Sequence, residues 1–204
     1  MSGLAADAAS LDPDSLESFL DRFSAFEAEL RTHSEVEDGI MFPAIRTRGG
    51  VIDRSLTDDH HREQELVYDV ACTLLEAKSL GVDARRKAVA QLLVKLRDDL
   101  LSHLAAEEDH VLSQVPKLID DAEQADLLRM IIKSVPADPR LQPWVAAALT
   151  PEHREARLRN MAASLQHDVL VTVMNQIHAG VAASVWSDLE ARTPELASLV
   201  DGRA

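Results

Sequence analysis

Three stretches of the chain place a histidine and a glutamate three or four residues apart: His33 with Glu37, His60 with Glu63, and His103 with Glu107. At that spacing on a helix, both side chains of a pair lie on one face and reach one point. Imidazole with carboxylate, and no thiolate, is a donor set that suits iron, manganese or zinc. Carboxylates that bridge two ions are the usual arrangement in helical-bundle di-metal sites. One such pair alone is more often a salt bridge or a solvated face. Three pairs, each on an apolar stripe, favour a metal centre over a metal-free buried polar network.

The stripes are visible in the flanking residues. Leu16, Phe19, Phe23, Phe26 and Leu30 step by 3, 4, 3, 4, and the same steps land on His33 and Glu37 before Ile40 resumes the apolar pattern and Pro43 closes it. Val89, Leu93, Leu96 and Leu100 lead in the same way into His103, Glu107 and His110. Leu56, His60, Glu63, Val67, Val70 and Leu74 form the third stripe. His61 falls off it by one position, roughly 100° round the helix, and is read as solvated. An uncompensated buried carboxylate costs several kcal/mol by order of magnitude, so each polar pair requires something that satisfies it.

The elements that must carry these stripes are helices. Asp12 followed by Pro13 has the form of an N-cap with proline at the first helical position, and helical periodicity then runs to about Arg46. Arg48-Gly49-Gly50 ends this helix. A second helix is expected from about Leu56 to Ser79, and a turn at Leu80-Gly81-Val82-Asp83 leads into a third that continues to about Val115. Pro116 is the next punctuation. Beyond Asp120 come a short apolar segment, LLRMIIKSV, a proline-containing connector, PADPRLQPW, and helical stretches from about Thr150 to Leu189. The expected organisation is an all-α bundle over residues 12–119 and a helical C-terminal extension over 120–204. Within the extension, Thr150, Pro151 and Glu152, with His153 on the next polar turn, have the form of a capped helix start. Trp144 and Trp186 are read as packing residues, and His178 as cover for a core helix.

Composition is consistent with this. Of 204 residues, 46 % are hydrophobic and 27 % charged, which suits a folded domain, while 3 % aromatics and seven glycines are few for a sandwich or barrel. The net charge of −14 repels phosphate backbones and anionic lipid, which argues against nucleic acid and membrane as partners. The opening MSGLAADAASLDPDS has neither a basic residue nor a long apolar run, so no signal peptide or membrane span is expected and the chain is assigned to the cytoplasm. The single cysteine, Cys72, lies in an apolar stretch and is read as a small core residue. Neither a phosphate-binding glycine loop nor a nucleophile elbow is present.

The segment RTHSEVEDGIMFPAI resembles the metal-binding helix of hemerythrin-like, His-His-Glu cation-binding domains. SHLAAEEDHVLSQV is similar to the second copy of that element, with His103, Glu107 and Glu108 in register, and DDHHREQELV to the intervening helix. The resemblance covers about residues 14 to 118. It implies an antiparallel helical bundle with His33, Glu37, His60, His103 and Glu107 as metal ligands and the two glutamates bridging a di-iron pair. Zinc or manganese in the same ligands is compatible with the spacing. The family normally opens with another helix that carries a first histidine, and no histidine precedes His33 here. The candidates to fill that position are Glu63, His110, His167 in SLQHDVLVTVM, a partner subunit, or a helix lying upstream of Met1. SVPADPRLQPWVAAALTPEHREARL is similar to a segment that follows hemerythrin domains in some longer iron-regulatory proteins.

The function expected first is a non-haem metal protein that binds or senses O2, NO, peroxide or iron, with the extension transmitting the change to a protein partner or a second copy. A di-iron oxidase or peroxide-consuming enzyme is the alternative, favoured by carboxylate-rich ligation. A metal-free helical interaction protein is the third reading. Fold alone does not choose among them.

Overall fold

The computed structural model describes residues 2–134 and 139–200; residues 135–138 of the expected proline-containing connector lie outside the described residues. The chain divides into two compact units, Met1–Leu127 and Leu128–Ala204. Every regular element among the described residues is helical.

The first unit contains α1 (Ser2–Ala8), α2 (Leu16–Val36), α3 (Phe42–Thr47), α4 (Arg54–Leu80), α5 (Val82–Glu107) and α6 (Val115–Leu118), and α7 (Asp121–Ser134) carries the chain across the division. The entry to α2 is closed reciprocally: the Ser15 backbone N–H donates to Asp12 Oδ1 at 2.8 Å, and the Asp12 N–H donates to Ser15 Oγ at 3.1 Å. Asp53 caps α4 by accepting from the Ser55 N–H at 2.8 Å. Between α4 and α5 the chain turns at Gly81, whose φ of 97° only glycine adopts without strain.

The apolar stripes converge as their spacing requires. Phe19 and Phe23 of α2, Val70 and Leu74 of α4, and Val89, Leu93 and Leu96 of α5 are all buried, each such side chain contributing about 1.5–3 kcal/mol. A smaller core of Phe42, Ile45, Leu56, Val111 and Ile119 forms beyond the polar pairs. Gln114 ties this end down: its amide nitrogen donates to the Val51 carbonyl at 2.8 Å, and its amide oxygen accepts from the Val51 N–H at 2.9 Å.

Two expectations need correction here. The alanine-rich opening, read as lying outside the first helix, forms α1, which packs on α5 with Leu4, Ala5, Ala8 and Leu11 buried. Arg22 pairs with Asp7 at 2.6 Å, and the Arg86 side chain donates to the Leu11 carbonyl at 2.6 Å, so charge and hydrogen bonding seat a segment too short to be helical alone. Cys72 is half-buried rather than a core residue.

The second unit contains α8 (Leu141–Ala148), α9 (Pro151–Ser164), α10 (His167–Gly180), α11 (Ala183–Arg192) and α12 (Pro194–Ala197) around a core that includes Leu158, Met174, Ile177, Trp186 and Leu189. Thr150 caps α9 by accepting from the His153 N–H, and His178 lies edge-on to Trp186 with 4.5 Å between ring centroids. Arg154 is 5 % exposed and fully engaged. It donates to the carbonyls of Ala146 at 2.6 Å and Leu149 at 2.9 Å, and pairs with Asp188 at 2.9 Å. Among the described residues no helix is long and apolar enough to cross a membrane.

Candidate metal centre

Both helices that carry a His-x-x-x-Glu pair change their winding at the glutamate. α2 gives way to a π turn over Glu37–Met41, and α5 to one over Glu108–Leu112. In the first, the Phe42 N–H reaches back five residues to the Glu37 carbonyl. Pro43 follows, and a proline inside an α-helix would lack its N–H and press on the carbonyl four residues earlier, at Gly39; the wider turn accommodates it. The winding change leaves the glutamates on the inner face while re-aiming what comes after them.

The structure brings together His33, Glu37, His60, His103 and Glu107, one ligand atom of each lying within 4.8 Å of all the others. His33 Nε2 stands 3.3 Å from Glu37 and 3.6 Å from Glu107. His60 Nε2 lies 3.2 Å from Glu37, and His103 Nε2 lies 2.9 Å from Glu107. The three Nε2 atoms thus converge on two glutamates. The imidazoles of His60 and His103 stack at 4.8 Å with 27° between planes, and both side chains are 1 % exposed. His33 is 31 % exposed, so the group opens to solvent on the α2 side.

The donor set fits a cation. His33 Nε2, both ring nitrogens of His103, Glu107 Oε1 and both Glu63 oxygens are buried without a hydrogen bond among the described residues. The His103 contacts are short but not aligned for hydrogen bonding. Leaving such groups unsatisfied costs about 1–3 kcal/mol each. Close approach with electron pairs directed elsewhere suits ligands gathered round a shared ion.

The electrostatics of the protein alone run the same way. Burial lowers the pKa of His103, but the carboxylates of Glu107 and Glu63 outweigh it and push it up to about 10. Burial opposes the charged form of Glu107 too, yet His103 and His33 beside it hold its carboxyl well below the usual range. For His33, desolvation is outweighed by Glu107 and Glu37, and for His60 by Glu37 and Asp38, so both are raised. Desolvation dominates at Glu37 and raises it, against the lowering effect of His60. Protons thus hold the places that a cation would take.

The residues considered for a further ligand are placed differently. Glu63 is buried at His103 Nδ1, 3.2 Å away, on the side of the ring remote from Glu107. His110, read as the next member of the α5 stripe, is exposed: the π turn that starts at Glu108 rotates it off the inner face. His167 is exposed at the start of α10, in the second unit, and His61 is exposed as expected. Sequence reasoning missed Asp38, whose Oδ2 lies 3.1 Å from His60 Nδ1, and Asp59, 4.0 Å from His103 Nδ1. Asp38 sits one position off its stripe, and its only signal was its place beside Glu37.

No solved structure matches the chain. Zinc finger protein BRUTUS of Arabidopsis thaliana is 27% identical to it over 140 residues, which cover 64% of this chain and 11% of that protein. The chain therefore spans about a tenth of that relative's length. The family model described as Hemerythrin HHE cation binding domain matches residues 2–115, more than half of the chain, from α1 through both His-x-x-x-Glu helices. With that match over the bundle that carries the His/Glu group, the chain belongs to the hemerythrin HHE cation-binding family.

Proposed function

We propose that this protein is a cytoplasmic non-haem iron protein that holds a di-iron centre in its bundle and binds or senses a small ligand: O2, NO, peroxide, or iron itself. The observation that carries this reading is the convergence of five histidine and glutamate ligand atoms within 4.8 Å in a buried group open on one side. His33, His60 and His103, with Glu37 and Glu107, each beside two of these histidines, would hold the metal. Bound iron would supply redox chemistry and affinity for a small ligand there. The chain's own part is to hold the ligands, exclude bulk water with Phe42 and the two flanking cores, and admit a small molecule past His33. Because a cation satisfies the buried group only when the bundle is closed, metal loading stabilises the fold by linkage.

The direct test is metal content per chain by elemental analysis with an ultraviolet-visible spectrum, on wild type beside His33→Ala and His103→Ala. The expected result is about two irons per chain, as helical-bundle carboxylate sites hold, with ligand-to-metal charge-transfer absorption lost in both variants. A well-folded wild type that takes up no metal aerobically or anaerobically overturns the reading in favour of a metal-free interaction protein.

An oxidase or peroxide-consuming enzyme is supported by one observation, the number of carboxylates in and around the group: Glu37, Glu107, Glu63, Asp38 and Asp59. Catalytic loss of peroxide by iron-loaded protein, abolished in Glu107→Ala, would favour it over reversible binding.

A further inference from the structure

We infer that Asp38 and Glu63 are positioning residues: each stands behind one of the two stacked imidazoles and fixes which of its ring nitrogens faces the cluster. The inference rests on the metal-binding reading of the site.

Each of the two imidazoles has a carboxylate at both ring nitrogens, hydrogen-bonded at His60 and in close contact without a hydrogen bond at His103. His60 lies between Glu37, at Nε2 and 3.2 Å, and Asp38, at Nδ1 and 3.1 Å. His103 lies between Glu107, at Nε2 and 2.9 Å, and Glu63, at Nδ1 and 3.2 Å. Each ring thus has a carboxylate of the five-residue group on one nitrogen and an outer carboxylate on the other. A neutral imidazole carries one proton, and a carboxylate beside Nδ1 keeps it there, which leaves the Nε2 electron pair free for a cation. Carboxylates that accept from the remote ring nitrogen of a ligand histidine fix its tautomer and raise its basicity.

The pattern also links the helices. Asp38, in the π turn that follows α2, holds a histidine of α4, and Glu63 of α4 holds a histidine of α5. Neither buried oxygen of Glu63 makes a hydrogen bond among the described residues, so its 3.2 Å approach to His103 Nδ1 acts on that ring through charge. Its replacement by the neutral isostere should weaken the metal site through His103.

The test uses the full chain with zinc as a diamagnetic probe: wild type, Asp38→Asn and Glu63→Gln, with histidine nitrogen NMR on zinc-loaded protein and zinc affinity by chelator competition. In wild type, His60 and His103 should carry the proton on Nδ1 and zinc on Nε2. Each variant should lose that single tautomer at its own histidine and bind zinc roughly 10–100-fold more weakly. Unchanged tautomers with wild-type zinc affinity overturn the inference and leave the metal reading standing. A wild type that binds neither zinc nor iron overturns both. If Glu63→Gln fails to fold, Asp38→Asn, at a half-exposed position, decides the question alone.

Discussion

The Phe42 ring lies parallel to the His60 imidazole, 5.9 Å between centroids and 4° between planes, and is fully buried. It belongs to the smaller core and forms one wall against that histidine. Phe42→Ala should destabilise the protein by about 3–5 kcal/mol and admit water beside His60. Urea denaturation of the metal-free protein measures the first effect. A loss under 1 kcal/mol, far below the usual range for such a truncation, would show that Phe42 does not close the site.

In the metal-free protein His103 is pushed up to about 10 by Glu107 and Glu63, against burial, whereas an unfolded histidine titrates near 6.5. A folded pKa above the unfolded one gives stabilisation that is fully present below about 6.5 and lost as pH rises through about 10. The urea midpoint of metal-free protein should therefore fall across that window, and less steeply in His103→Gln. A midpoint that climbed with pH would refute the assignment.

Metal binding should follow the opposite trend, because a cation needs the imidazoles neutral. With His33, His60 and His103 all raised, loading at neutral pH should expel protons, and affinity should rise with pH. Calorimetric titration in buffers of different ionisation enthalpy measures the release. Zero release would mean that the site is already deprotonated.

A Cβ added at Gly50 would collide with Ile45 and come within 2.6 Å of Leu118 Cδ1 and 2.9 Å of Gln114 Oε1. Gly50→Ala should separate the Val51 backbone from Gln114 and cost on the order of 1–3 kcal/mol. Hydrogen exchange at the Val51 amide is the local readout, with faster exchange expected. Unchanged protection would mean that the loop accommodates the methyl group.

Arg154→Met removes a buried cation from Asp188 and two carbonyls in the second unit. Breaking a buried pair costs about 3–5 kcal/mol, and the lower end is expected because Arg192 still neutralises Asp188 at 2.9 Å. Limited proteolysis of the full chain should produce new cuts within residues 139–200. An unaltered digestion pattern would show that the network contributes little there.

Much of the bundle was legible because burial imposes a period. The three stripes led to the helices and, through His33, Glu37, His60, His103 and Glu107, to a group whose ligand atoms the fold brings together. What was missed lies where that period fails. His110 was misplaced because the π turn at Glu108 changes the residues per turn, and nothing in local composition announces such a turn. Asp38 escaped notice because an off-stripe acid looks like a solvated one, although the fold turns it onto His60. α1 was missed because its burial depends on docking to a helix some eighty residues away in sequence, through contacts such as Arg86 with Leu11, rather than on any pattern of its own.

The two π turns have a consequence for how the unit responds to load. Along α2 and α5 the long apolar stripe precedes the polar group and members of the smaller core follow it, whereas along α4 Leu56 of the smaller core comes first and the long stripe follows. The cluster is therefore a seam between two dry blocks, crossed by three rods, two of which carry a phase slip at the crossing. A seam of alternating imidazoles and carboxylates, several of whose buried atoms make no hydrogen bond among the described residues, is the compliant layer of such a laminate. The ion it is built to receive would act as the rivet.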